Sequence, residues 1–77
     1  MSESIAFTVD AKGLSCPMPI VKTAQAAKTV ESGSLLEVLA TDPGSSRDFA
    51  AWTRTTGNEL VKQSVSDGVF RFVIRRK

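Results

Sequence analysis

Apolar and polar residues alternate through IAFTVD, residues 5 to 10, with Ile5, Phe7 and Val9 on one side and Ala6 and Thr8 on the other. A period of two predicts a half-buried strand. AKGLS then supplies a glycine-containing loop. From Pro17 to about Glu31 the period changes: Ile20, Val21, Ala24, Ala27 and Val30 recur at helical spacing, which predicts an amphipathic helix. Pro17 suits its first position, where a missing N–H costs nothing, and Gly33 stands where a helix C-terminus favours glycine. LLEVLATD reads as a second strand with Leu36, Val38 and Ala40 on one face. After DPGSS, Ser45 and Asp48 have the spacing of a capping box, with Asp in place of the usual Glu. The helix that follows, from about Ser46 to Thr56, buries Phe49, Trp52 and Thr53 and stops at Gly57. Two strands close the chain, Glu59 to Ser66 and Val69 to Arg75. The Asp67-Gly68 pair between them predicts a two-residue hairpin.

The order is therefore βαβαββ. A helix joins the first two strands, so they run parallel with a right-handed crossover. The last two are antiparallel, which makes the four-stranded sheet mixed. Two helices cover one face of it, giving an α/β domain of the α+β, two-layer sandwich kind. Ile5, Phe7, Val9, Leu36, Val38, Val61, Val65, Phe70, Phe72 and Ile74 are expected on the inner face. Thr8, Glu37, Lys62, Ser64, Arg71 and Arg75 are expected on the outer one. No linker, repeat or low-complexity tract interrupts the chain, so residues 1–77 form one domain, with residues 1–4 frayed.

Composition narrows the chemistry. A chain of 77 residues with 42% hydrophobic and 23% charged residues is ordinary globular material, near the lower size limit for an unstapled core. A net charge of +2 does not mark a polyanion binder. The N-terminal residues lack a basic segment followed by a long apolar run, and no stretch reaches the roughly 18 apolar residues of a membrane helix. With one cysteine and no histidine, an internal disulfide and the usual zinc clusters are excluded, and no metal or cofactor is expected. A reduced thiol in a cytoplasmic protein is the economical reading.

That cysteine lies in GLSCPMPIVK, residues 13 to 22. If Pro17 opens the helix, Cys16 is its N-cap, with its sulfur near free N–H groups and the positive end of the helix dipole. Both favour the thiolate. Pro19, at the third helical position, removes another donor and stiffens the turn, leaving the Met18 N–H as one of few available to the sulfur. Lys12 and Lys22 are the nearest cations in sequence. A lone cytoplasmic cysteine is most often a small buried hydrophobe. An N-cap, however, is normally Ser, Thr, Asp or Asn, and a cysteine placed there between fixed prolines points to reactivity. Without histidine there is no Cys-His base, and without a second cysteine no dithiol exchange. A single thiolate can still take a sulfane sulfur from another protein, hold it as a persulfide and pass it on.

At VDAKGLSCPMPIVK the chain closely resembles the TusA, or SirA-like, family of small sulfur carriers. ATDPGSSRDFAAW resembles the family's second helix entry, and DGVFRFVIRRK its closing hairpin and basic end. The resemblance implies a βαβαββ two-layer sandwich. It also implies that Cys16 accepts persulfide sulfur from a cysteine desulfurase or rhodanese-like donor and relays it to an acceptor protein. Family members feed tRNA wobble-uridine thiolation, molybdenum-cofactor synthesis or sulfur oxidation. On this resemblance Cys16 carries the sulfur and Gly13, Pro17 and Pro19 shape its loop, while Asp10, Asp42 and Pro43 fall in family-like positions with roles that are open between function and structure.

Other readings stand beside this one. Arg71, Arg75, Arg76, Lys77 and Lys62 make a basic strand and tail, which raises the alternative of an RNA-binding domain with a basic sheet face. Sheet-based RNA readers need exposed aromatics, and Phe70 and Phe72 share the parity of Ile74, so direct nucleic-acid binding is disfavoured. Arg71 and Arg75 then read as a docking surface for a protein partner. A regulatory thiol sensor is a further alternative, but it usually keeps a resolving cysteine nearby. Trp52 is expected in the core rather than as a surface anchor. Met18 is open between a docking contact beside Cys16 and folding over the first helix.

Overall fold

The two-residue turn is where local sequence and structure agree most closely. Asp67 and Gly68 take φ of 53° and 77°, the left-handed pair such a hairpin requires, and Ser66 faces Val69 across it. The computed structural model describes residues 4–77. Its elements are β1 (Ile5–Ala11), α1 (Met18–Ala27), β2 (Leu35–Ala40), α2 (Ser45–Thr56), β3 (Glu59–Ser66) and β4 (Val69–Arg75). Of the residues expected to fray, 1–3 lie outside the described residues.

The sheet order is β1-β2-β4-β3. β1 and β2 are parallel, and β4 pairs antiparallel with both β2 and β3. The composition of the last two strands explains which of them is central. VFRFVIR is nearly continuous in apolar and β-branched residues and sits inside the sheet, whereas ELVKQSVS is half polar and takes the edge, where a lysine and serines discourage pairing with another chain.

Both helices pack on one face. Phe49 of α2 stacks on Phe72 of β4 with centroids 4.7 Å apart, and Trp52 meets Phe49 edge-on at 6.2 Å. Leu36, Val38, Phe72 and Ile74 are fully buried beneath them. Aromatic pairs in such geometries contribute roughly 0.5–1.5 kcal/mol beyond their area, so Trp52 belongs with the core as expected.

Several local expectations are corrected. The first helix ends at Ala27, and residues 28–30 form a turn closed by Thr29 N–H donating to the Ala26 carbonyl at 2.9 Å. Gly33 therefore serves the loop before β2 and is not the helix C-cap. On α1 the buried positions are Pro19, Thr23, Ala26 and Ala27, while Val21 is exposed. In β3 a register shift between Leu60 and Lys62 moves Leu60 onto the core in place of Val61. Phe7 and Val65 keep the expected parity, opposite Leu36 and Phe70. They nevertheless lie on the two edge strands and remain 48% and 61% exposed. The capping box does not form. Gly44 is the N-cap of α2 with no side-chain cap bond, and Ser45 sits inside the helix with a buried Oγ that has no partner among the described residues.

Candidate functional site

Parallel pairing of β1 and β2 ends with Ala11 opposite Ala40, so the loops that follow emerge side by side at one end of the sheet. They are tied together: the Gly13 N–H donates to Thr41 Oγ1 at 2.9 Å. Gly13 has φ of +82°, a left-handed conformation that glycine adopts without steric cost. Within its own loop, the Lys12 N–H donates to Asp10 Oδ1 at 3.1 Å and the Leu14 N–H to the Ala11 carbonyl at 3.2 Å. The Met18 N–H donates to the Ser15 carbonyl at 3.0 Å, and the Val21 N–H to the Pro17 carbonyl at 3.1 Å. Cys16 is at the far end of this braced loop, exposed and joined to Pro17 by a cis peptide bond.

This arrangement corrects the expected helix start. α1 begins at Met18 and Pro17 is its N-cap, so Cys16 precedes the cap and Pro19 is the second helical residue. The Met18 N–H is occupied by Ser15 and is not free to serve the sulfur. Pro19 is buried, and its carbonyl accepts a hydrogen bond from Thr23 Oγ1 at 2.8 Å. Met18 is 45% exposed, which places it beside Cys16 on the surface rather than folded over the helix.

The electrostatics of the thiol also differ from expectation. Asp48, in the first turn of α2, holds the Cys16 thiol above the ordinary cysteine range, chiefly because hydrogen bonding to the carboxylate favours the protonated form. A slight loss of hydration and the negative charges of Asp48 and Asp42 push the same way. Carboxylates from the neighbouring helix entry thus act against the thiolate-favouring effect expected of a helix start. The sequence reading assigned Asp48 to a cap and left the role of Asp42 open. The available signal was two acids bracketing the start of the second helix, in DPGSSRD.

The basic residues are placed elsewhere. Lys22 Nζ donates to the Asp10 carbonyl at 3.2 Å, and Lys12 is exposed. Arg71 faces Leu39 on the outer side of the sheet. Its Nε donates to Glu37 Oε2, while Thr8 Oγ1 donates to Glu37 Oε1 at 3.0 Å, forming a polar ladder across three strands. Arg75 lies at the opposite end of the sheet from Cys16, its Nε on Glu59 Oε1 at 3.2 Å. Phe72 is buried and Phe70 packs against the core, so these aromatics do not line the outer face. Among the described residues no His, Cys, Asp and Glu group is arranged to hold a metal ion, and no helix is long and apolar enough to cross a membrane.

Comparison with known proteins bears directly on this site. Residues 7–76 match the family model described as sulfurtransferase TusA. The putative sulfur carrier protein YrkI of Bacillus subtilis is 46% identical over 68 residues, which cover 88% of this chain and 91% of that protein. The sulfur carrier protein TusA of Allochromatium vinosum is 44% identical over 68 residues, 88% of this chain and 90% of that one. The crystal structure of a SirA-like protein from Desulfitobacterium hafniense superposes with a TM-score of 0.79 at 25% identity, covering 90% of this chain and 95% of that one. With a family match across nearly its whole length and close relatives of the same size, the chain belongs to the TusA sulfurtransferase family.

Proposed function

We propose that this protein is a sulfur carrier that accepts sulfane sulfur as a persulfide on Cys16 and relays it to a second protein. The observation that carries the reading is the presentation of Cys16. The single thiol of the chain is exposed at the end of a braced loop. Such a sulfur acts on what a partner brings to it. The donor is a protein persulfide, of the kind formed by a cysteine desulfurase or a rhodanese-like enzyme. The acceptor is a downstream protein of one of the relays the family serves: tRNA thiolation, molybdenum-cofactor synthesis or sulfur oxidation. Gly13, Pro17 and Pro19 shape the loop, and exposed Met18 offers the partner an apolar contact next to the sulfur.

The test is an intact mass after incubation with a cysteine desulfurase and cysteine. A gain of one sulfur atom, removed by reductant and absent from Cys16→Ser, is expected. Cys16→Ser should fold like the wild type, because the hydroxyl is close in size to the thiol and substitutions at exposed positions usually change stability by no more than about 0.5 kcal/mol. Absence of the gain with desulfurase and rhodanese-like donors alike, while Cys16 still alkylates, would reject persulfide carriage.

A further inference from the structure

The basic residues that close the chain divide by parity. Arg71 and Arg75 lie on the outer face of the sheet, where Glu37 and Glu59 pair with them. Arg76 shares the parity of Phe72 and Ile74, so it falls on the helix side. Its backbone is pinned: the Arg76 N–H donates to the Ser34 carbonyl and the Gly33 N–H to the Arg76 carbonyl, both at 2.8 Å. The Lys77 N–H donates to Asn58 Oδ1 at 2.7 Å. The Lys77 side chain crosses Gly57, the C-cap of α2, so closely that a Cβ there would stand 2.9 Å from its Cδ. Lys28, the C-cap of α1, comes in from the other helix. These three cations rim a groove of about 460 Å³ between the helix ends, floored by the methyl groups of Ala24 and Ala27 and by Trp52. Trp52 packs edge-on with Phe49 and stays half-buried. No acidic side chain lines the groove, and Lys28, Arg76 and Lys77 form no side-chain ion pair among the described residues. A helix C-terminus carries about half a negative charge, so the two ends together offset about one of the three cations. A side-chain excess of about two positive charges is left unanswered.

We propose that this groove binds an acidic segment of a partner protein, with one apolar side chain seated on Trp52 and Ala27 and carboxylates on Lys28, Arg76 and Lys77. The rim calls for anions and the floor for an apolar group, and an acidic protein segment supplies both. A nucleic acid supplies the charge, but its bases need an open aromatic face for stacking, and Trp52 is half-buried against the core. Exposed ion pairs contribute little by themselves. The apolar anchor therefore sets the affinity, while the cations set the approach and the choice of partner. The ten residues of α1 separate the groove from the cysteine loop, about 15 Å at roughly 1.5 Å per residue. A protein that holds the chain by this end leaves Cys16 open. The site goes beyond the sulfur-carrier reading and does not depend on it.

Trp52 is the one tryptophan of the chain, so its fluorescence reports on the groove. The probe is a short peptide of Asp and Glu with one central Leu, blocked at both ends, titrated into the full chain at low salt. A saturable change in emission is expected. Lys28→Glu should weaken binding about tenfold or more, because it sets a like charge against the peptide. Replacing the central Leu by Ser should weaken it roughly threefold to tenfold, the partial burial of a leucine being worth about that much. An unchanged emission, or an affinity that Lys28→Glu leaves within about twofold, overturns the site. Should Lys28→Glu fail to fold by circular dichroism, Lys77→Gln takes its place. A roughly threefold loss is expected there, and an unchanged affinity overturns the site. A uridine oligonucleotide that binds the groove more tightly than the peptide at the same salt overturns the acidic segment in favour of a phosphate ligand. Cys16→Ser should bind the peptide as the wild type does, and the peptide-saturated wild type should load sulfur at the rate of the free chain. Loading lost on saturation overturns the independence of the two ends. A chain that binds the peptide but that no donor loads sinks persulfide carriage and leaves the groove standing.

Discussion

The two ends of the sheet differ in the charged side chains that stand at their helix termini. At the end where β1 and β2 finish, Asp42 and Asp48 stand beside Cys16 at the starts of the helices. At the other end, Lys28, Arg76 and Lys77 gather around Trp52, near where the helices stop. A helix start is electropositive and a helix end electronegative, so each set of side chains complements the backbone it sits on. The comparison explains the state of the thiol. The favourable field at the helix starts is answered by carboxylates, and these act on the sulfur to disfavour its thiolate. It also keeps the basic tail at the end of the sheet away from Cys16.

The hardest way to break the contrast is to remove what both ends hang from. Phe49 follows Asp48 directly, is fully buried and stacks on Phe72. Phe49→Ala is expected to cost about 3–5 kcal/mol, read as a lower denaturant midpoint. A loss below about 1 kcal/mol would mean that α2 is not anchored through this ring. A finer comparison uses two glycines, one at each end of the sheet. Gly13 and Gly33 have φ of +82° and +88°, and a Cβ would meet nothing within 4 Å at either. An alanine at each should cost a similar 1–2 kcal/mol or so from the left-handed backbone alone. Only Gly13→Ala should also slow sulfur loading, because only Gly13 braces the cysteine loop. Equal loading rates in the two variants would show that the brace is irrelevant to transfer. The smallest effect is expected at the basic end. Arg75→Ala breaks an exposed ion pair with Glu59, worth about 0–1 kcal/mol, and should leave loading unchanged. A loading defect in this variant would place part of the donor's docking surface there.

The elements were largely legible because their signals are local. Period-two alternation, the helical recurrence and the Asp67-Gly68 turn each depend on neighbours a few residues apart, and β3, β4 and the parallel β1–β2 pair formed as expected. The errors arose where a local rule met a distant partner. Val61 has the right parity for the core, but a bulge against β4 gives that place to Leu60. Ser45 and Asp48 have the spacing of a cap, but the serine is the first helical residue with its side chain buried, and the aspartate acts on Cys16. Phe7 looks like a core residue until its strand proves to be an edge.

From the chain alone came the order of elements, the single thiol with no histidine or second cysteine to assist it, and the family resemblance around Gly-Leu-Ser-Cys-Pro-Met-Pro. These follow from composition and short-range pattern. Tertiary structure alone decided the insertion of β4 between β2 and β3, the position of Cys16 before rather than at the helix cap, and the carboxylates that disfavour its thiolate. The last is the most consequential. Asp48 is 32 residues from Cys16 along the chain, and only the parallel pairing of two strands, which brings both βα loops to one end of the sheet, puts its carboxylate within reach of the sulfur.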